Sequence, residues 1–512
     1  MAELTERPFP PGDYPLIVVG SGPGGLQVSS ALRGAGVEHA VLSADEQPGG
    51  MFRRWPFFQR LLSWTKPYAP VARGTRPYER YDWNSLIPET DEHRAVMVGL
   101  MDGTSYFPSR PEMQAGLEAF ASRTDLRIRF GCRWSGTRRL DDGRFALETS
   151  DGVYTAGTLV FAVGVAEPWR PASPGMELAA HYADTRPVEQ YADRRIFIIG
   201  KQNSGFELAS GMLPWARRIM IASPSPAKLS VNTNSLVGIR ARYVQPYEDH
   251  VLGGGVAILN AAIERIERGP AGGAPFQVVT RRSSDSVEMT FEADDVIAAT
   301  GFVAPLLDLP DLGVATFGQS RLPAQTPFWE SATVPGIFFA GTIGQGAAGL
   351  KKHGIPSNSG AVQGARYNAR VLARQIATTR FGRPVERPAI APGELLDFLL
   401  DELTLGPELW HQRAYLARVV SVDPDDGLRD EGILPLAWFV DAGGPDAIAA
   451  TLETDGTGAV YPVVYVRHDG EVSEHPMDPH PLLDYRTAPA RHDLEAILAP
   501  LLGRSAAGSR AS

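Results

Sequence analysis

The chain is poor in sulfur nucleophiles: one of its 512 residues, Cys132, is a cysteine. A single thiol cannot close an intrachain disulfide, form a CxxC redox pair or build a cysteine-based metal cluster. Long apolar runs are missing as well. None reaches the roughly 18 to 20 residues that cross a bilayer. The opening stretch, MAELTERPFPPGDYP, is charged and proline-rich where a signal peptide has an apolar core. A soluble, cytoplasmic protein without membrane contact is expected. Positive charge is in deficit, with 49 Lys and Arg against 59 Asp and Glu, for a net charge of -10. That disfavours a general nucleic-acid binder. No HExxH, Cys/His cluster or GxSxG turn occurs, so no metal ion and no serine nucleophile is expected.

What is present is glycine, 53 residues of it, and proline, 42. The length exceeds a single hydrophobic core, so two to four domains are expected. The glycines matter most in YPLIVVGSGPGGLQVSSALRGAG. Leu16, Ile17, Val18 and Val19 read as a buried strand ending at a glycine. A helix with apolar positions at Leu26, Val28, Ala31 and Leu32 follows, then a second strand in HAVLSAD. This is the strand–GxGxxG–helix–strand frame of a dinucleotide site. Gly20 allows the tight turn, Gly22 lets the backbone approach a pyrophosphate, and Gly25 lets helix and strand pack closely. The acid that usually binds ribose is replaced by Ser43. Asp45 or Glu46 can substitute from the loop, or both are solvated charges. Gly49, Gly50 and Met51 in QPGGMFRRW follow, either as a close backbone approach to a cofactor ring or as a plain turn.

The frame recurs in RRIFIIGKQNSGFELASGM. Gly200 and Gly205 keep the outer positions, and Gln202 replaces the middle glycine. Asn203 and Ser204 are helix-starting residues that can donate to phosphate. The strand after that helix ends near Ser223 without an acid, and Arg217, Arg218 and Lys228 lie nearby. Hydroxyls and cations in place of an acid favour NADPH over NADH. Two further segments, 158–171 and 294–305, each run strand, glycine turn, proline; the second contains Thr300 and Gly301. They read as crossovers bracketing a domain inserted into the first one. A strand, a glycine-rich turn with Gly341 and a long helix then complete the first domain. One elbow for a flavin and one for its hydride donor accounts for the duplication.

With GSGPGG, PGGMFRRW, YFPSRPEM, GKQNSG, AATGF and the 336–378 stretch together, residues 14–380 resemble the class B flavin-dependent monooxygenases. The likeness is to the flavin-containing and N-hydroxylating members of the two-dinucleotide-binding-domain flavoproteins. It implies an α/β fold with two Rossmann-like domains, an NADPH domain inserted in a discontinuous FAD domain, plus a C-terminal α+β extension. The expected boundaries are 1–185 and 298–385 for FAD, 186–297 for NAD(P)H and 390–512 for an extension of unknown role. The signature FxGxxxHxxx(Y/F) is not intact: Gly175 and His181 are six apart, and no aromatic stands four after His181. That puts the linker role of His181 in doubt.

The resemblance implies that FAD, reduced by NADPH, forms a C4a-hydroperoxide with O₂ and passes oxygen to an amine nitrogen or sulfur of a small molecule. It also points to site residues. Asn84 is a candidate hydrogen-bond donor at the flavin, or an ordinary turn residue. Gln59, Trp64 and Lys66 border the ring, or Trp64 simply packs. Arg110 pairs with a cofactor phosphate while Ser109 caps the next helix with Glu112. His353 and Asn358 lie near the flavin pyrimidine edge, Asn358 alternatively as a cap. A quinone or small-molecule reductase is the rival reading, and a non-catalytic FAD redox sensor a more distant one. Assembly into a homo-oligomer is compatible with all three.

Overall fold

The computed structural model describes residues 7–55, 60–230, 239–240, 242–243, 253–347, 349, 357–423 and 426–508. The apolar run before Gly20 forms β1 (Asp13–Val19), parallel to β2 (Ala40–Leu42) and β5 (Gly152–Phe161). β3 (Trp134–Arg139) and β4 (Phe145–Thr149) continue the sheet antiparallel, in the order β2-β1-β5-β4-β3. β17 (Ile337–Phe339) pairs with β5 in parallel. Residues 16–19 of β1 are all apolar because both faces of the strand are covered there. Leu16 and Val18 pack with Leu26, Val28 and Leu32 of α1 (Pro23–Gly34) and with Leu372 and Ile376 of α5 (Val362–Phe381). Ile17 and Val19 face Trp134, Tyr154 and Phe339 on the other side.

A second sheet has the order β12-β11-β10-β9-β8-β13-β7. Its strands are β7 (Ala180–His181), β8 (Arg195–Ile199), β9 (Arg218–Ser223), β10 (Val256–Arg268), β11 (Phe276–Arg282), β12 (Glu288–Ala293) and β13 (Asp295–Ala298). All lie between β5 and β17 in sequence, so this sheet is an insertion into the first domain. α4 (Asn203–Met212) covers one face. The chain enters and leaves by β6 (Glu167–Pro168) and β14 (Phe302–Val303), which pair antiparallel. The expected fold class, two Rossmann-like units with one inserted, is what the chain adopts. A short hairpin, β15 (Thr316–Phe317) and β16 (Leu322–Pro323), precedes the return.

The extension forms an antiparallel sheet in the order β18-β20-β19-β21-β22-β23. The strands are β18 (Ala389–Ile390), β19 (Leu416–Asp423), β20 (Gly427–Pro435), β21 (Ala447–Thr454), β22 (Val460–His468) and β23 (Glu471–Pro476). The even alternation of side chains builds two cores. Val420, Ile448 and Val464 pack under α6 (Leu395–Leu405) and α9 (Ala488–Gly508), through Leu399, Leu403, Leu494 and Leu498. Val419, Ala449 and Val463 face Leu436 and Phe439 of α8 (Leu436–Asp441). α7 (Pro407–His411) lies between the extension and the body.

Candidate functional site

The two elbows are the same piece of geometry built twice. Gly20 has φ +114° and its N–H donates to Leu42 O at 2.8 Å. Gly200 also has φ +114° and donates to Ala222 O at 2.8 Å. A Cβ on Gly20 would stand 2.5 Å from Ala162 O, and one on Gly200 would stand 2.4 Å from Ala299 O. A Cβ on Gly25 would fall 1.9 Å from Gly20 O, and one on Gly205 would fall 2.1 Å from Gly200 O. These outer glycines are therefore demanded by the protein's own packing. The middle position differs in kind. The nearest atom to a Cβ on Gly22 is Gly50 Cα, at 3.9 Å. The protein has room there, so its own packing does not demand the glycine. At the second elbow the exposed Gln202 occupies that position, as the residue preceding α4.

Around the first elbow three backbone segments converge. Gly50, at φ +57°, would place a Cβ 3.0 Å from Gly22 Cα. Gly24 would place one 2.4 Å from Gly341 Cα. Gly49 donates its N–H to Ser21 O at 2.9 Å. Met51 opens α2 (Met51–Arg54) directly behind Gly50. The N-terminus of α1 is thus ringed by side-chain-free backbone, the surface that an FAD pyrophosphate requires. Gly24 was missed in the sequence. Its need comes from Gly341, more than 300 residues away, and only the doubled glycine after Pro23 hinted at it.

Several expected contacts are taken by other partners. Asp45, expected to replace the ribose-binding acid, is instead ion-paired with Arg54. At the strand end Ser43 Oγ meets Ser21 Oγ at 2.7 Å. Arg110, expected on a phosphate, donates to Phe52 O at 2.9 Å and Arg53 O at 3.2 Å. It anchors the C-terminus of α2, where orphan carbonyls need donors. Ser109 caps α3 (Arg110–Arg123) as expected, with Glu112 returning the hydrogen bond. Arg217 and Arg218, taken as cofactor-facing cations, lie at the opposite end of β9 from Ser223. Arg217 is paired with Asp193, and Arg218 stands beside Arg195 at the strand's start. Lys228 is exposed in the loop beyond β9.

In the aromatic segment, Asn84 is buried. Its carboxamide accepts from Ser63 and donates to Thr65 Oγ1 at 3.0 Å, while Asp82 accepts from Thr65 Oγ1 at 2.7 Å. The network joins residues 63–65 to 82–84. Trp64 packs on Trp83 with ring centroids 5.0 Å apart. Lys66 is exposed and sits 5.8 Å from the Tyr81 ring centre. Gln59 and His353 lie outside the described residues. Thr300 Oγ1 donates to Trp169 O at 2.5 Å, and Gly301 O accepts from Trp169 N–H at 3.1 Å. His181, fully buried, lies with Nε2 3.1 Å from Gly301 O, and its Nδ1 accepts from Ala183 N–H. Those partners make it a neutral Nε2–H tautomer that pins the crossover between the two domains.

Asn358, expected at the flavin edge, turns to the extension. Its Nδ2 donates to His411 O at 2.7 Å, and its N–H donates to Gln412 Oε1 at 3.0 Å. Gln412 Nε2 in turn donates to Ser359 Oγ and Asn368 Oδ1. A second tie is electrostatic: Arg76 forms a double fork with Glu402 and Glu408, at 2.7 to 3.2 Å. The extension therefore grips both the aromatic segment and the start of α5.

His411 lies at the centre of this joint, stacked on Tyr367 and edge-on to Trp83, with Nε2 3.1 Å from Glu79 O. Burial, with the Arg366 guanidinium nearby, holds its pKa well below the usual imidazole value. The unfolded chain takes up this proton near pH 6.5 and the folded chain refuses it. His411 therefore stabilises the fold fully above pH 6.5, and the contribution is lost as pH falls below that value. We expect urea unfolding to show stability declining below pH 6.5, by no more than about 1.4 kcal/mol per pH unit from this residue. His411→Gln should flatten that part of the profile. An unchanged slope would mean that other groups carry it.

The fold and the paired elbows define a protein with two dinucleotide-binding domains, one inserted in the other. Residues 17–341 match the family model of the pyridine nucleotide-disulphide oxidoreductases, and the chain belongs to that family. It is 25% identical over 442 residues to mouse FAD-dependent oxidoreductase domain-containing protein 2, covering 80% of this chain and 64% of the mouse protein. That share exceeds the two nucleotide-binding domains, so the likeness runs into the C-terminal extension. Indole-3-pyruvate monooxygenase YUCCA1 of rice is 26% identical over 208 residues, covering 38% of this chain and 43% of that protein. The likeness to flavin monooxygenases read from the motifs thus recurs among the relatives. The bacillithiol disulfide reductase Bdr of Bacillus cereus superposes with a TM-score of 0.54 at 21% identity, over 72% of this chain and 99% of its own. It shares the fold. Among the described residues, no helix is long and apolar enough to cross a membrane.

Proposed function

We propose that the protein is an NADPH-dependent flavin monooxygenase acting on an amine nitrogen or sulfur of a small molecule. NADPH supplies two electrons, one atom of O₂ goes to the substrate, and the other leaves as water. Bound FAD supplies the hydride acceptance and the reaction with O₂. The N–H groups at the start of α1, bared by Gly20, Gly22 and Gly25, would hold its pyrophosphate. Gly49, Gly50, Met51 and Gly341 would close around it, and Trp64 and Asn84 would stand in the wall that keeps water out. Gly200 to Gly205 and Ser223 receive the nicotinamide cofactor, and Thr300 and Gly301 join the two halves. We assign residues 1–185 and 298–385 to the FAD domain and 186–297 to the NAD(P)H domain.

The observation that carries this reading is Cys132. It is 1% exposed, set behind β4 and β5, and burial pushes its thiol pKa up. A disulphide reductase of this family needs a reactive thiolate at the flavin, and this sulfur is inert. A reductase acting on a quinone or other small molecule is the second reading, favoured by the fold shared with Bdr. Stopped-flow oxidation of the NADPH-reduced protein separates the two. We expect a transient absorbing in the near ultraviolet before oxidised flavin returns, and ¹⁸O from ¹⁸O₂ in an amine or thioether product. Single-step reoxidation with no label across such a panel would establish the reductase.

A further inference from the structure

Most cations of the inserted domain face an acid. Arg195 is held by Asp294 and Glu292, Arg217 by Asp193, Arg265 by Glu267 and Arg282 by Asp285. Two cations at the second elbow are not so placed. Lys201 follows Gly200 directly and is 2% exposed. Its Nζ donates to Leu259 O at 3.0 Å and to Asn260 Oδ1, and among the described residues no carboxylate pairs with it. Arg240, half-buried, donates its backbone N–H to Asn203 Oδ1 at 3.0 Å, at the first residue of α4. No carboxylate among the described residues pairs with its guanidinium either. Two neutral acceptors leave one of the three ammonium N–H bonds of Lys201 uncommitted. A buried cation without an anion is costly, and the cost is recovered when an anionic ligand arrives.

The first elbow shows where that ligand group would be. Ser21 follows Gly20 as Lys201 follows Gly200, and Ser43 follows Leu42 as Ser223 follows Ala222. Ser21 reaches Ser43, 2.7 Å between hydroxyls, at the strand end where a dinucleotide presents its adenosine ribose. The longer side chain of Lys201 starts from the equivalent position and reaches the point inside β10 where its parallel pairing with β9 ends, at Asn260 opposite Ser223. Its ammonium is therefore level with the carboxyl end of β9, beside the ribose position.

We propose that Lys201 selects the phosphorylated nicotinamide cofactor, its buried charge holding the ribose 2′-phosphate against Ser223, with Arg240 as the second cation of the site. The proposal rests on the NADPH reading above and replaces Arg217 and Arg218 as its source. The test is binding of NADP⁺, NAD⁺, 2′,5′-ADP and 5′-AMP to the flavin-loaded protein by calorimetry. Wild type should bind NADP⁺ and 2′,5′-ADP at least about tenfold more tightly than NAD⁺ and 5′-AMP. Lys201→Gln keeps donors for Leu259 and Asn260 but removes the charge. It should lose most of that preference while binding NAD⁺ and 5′-AMP within about twofold of wild type. Arg240→Ala should weaken the two phosphorylated ligands by a smaller factor. If wild type shows the preference and Lys201→Gln retains it, Lys201 is only a tie between the elbow and β10, and the assignment fails. Equal weakening of all four ligands in Lys201→Gln overturns the assignment too. If wild type shows no preference for the phosphorylated ligands, the NADPH reading itself falls, and this assignment with it.

Discussion

Gly22→Ala is expected to give a folded protein that has lost its flavin, whereas Gly25→Ala is expected to give little folded protein at all. Both are the addition of one methyl group to the same elbow. At Gly22 the added carbon has the protein's nearest atom 3.9 Å away, so the fold accepts it. It intrudes only on a group bound against the backbone, and FAD affinity should fall on the order of tenfold or more, which is about 1.4 kcal/mol or more. At Gly25 the same carbon would lie 1.9 Å from Gly20 O, forcing α1 off β1. Overpacking of that kind costs roughly 3 kcal/mol or more. Thermal melts with flavin-to-protein absorbance ratios read both variants. A Gly22→Ala protein that keeps full flavin occupancy would remove the first elbow from the FAD site.

Arg76→Met should uncouple the C-terminal extension from the body. The change leaves Glu402 and Glu408, about 10% exposed each, without their main counter-charge. Breaking a buried pair from one side typically costs about 3–5 kcal/mol. Arg76 itself is 31% exposed, so roughly 3 kcal/mol is expected, or a melting temperature lower by about 3 °C for a chain of this length. Replacing both glutamates by glutamine in the Arg76→Met background should recover much of the loss, because the stranded charges are then gone. A single-variant loss below about 1 kcal/mol would place the docking energy in the aromatic contacts instead, Arg80 on Trp410 and His411 on Tyr367.

The elbows were legible because their constraints are local. A tight turn at φ +114° and a helix packed on the turn's own carbonyl are satisfied within six residues, so glycine spacing records them. The insertion was legible for a related reason: two crossovers repeat the same strand–glycine–proline pattern. Side-chain roles were not, because polar groups choose partners across the chain. Arg110 looked like a phosphate ligand and holds α2. Asp45 looked like a ribose ligand and pairs with Arg54. Asn358 looked toward the flavin and binds α7, from a region that matched no motif.

Arg217 and Lys201 make the point most clearly. Read from the sequence, Arg217, near the following strand, was the cation chosen, and Lys201, which stands directly after Gly200, was passed over. Strand direction decides between them. Parallel strands place every cofactor contact at their carboxyl ends, so Arg217, before the start of β9, is excluded, while Lys201, after the end of β8, is admitted. Sequence alone determined the fold class, the two dinucleotide elbows and the exclusion of dithiol chemistry, since each follows from residue type and short-range spacing. Only the tertiary structure decided which protein groups the charges near the elbows meet, why Gly24 must be glycine, and that the extension is built into the body. Those depend on contacts between residues from tens to hundreds of positions apart, which no local pattern encodes.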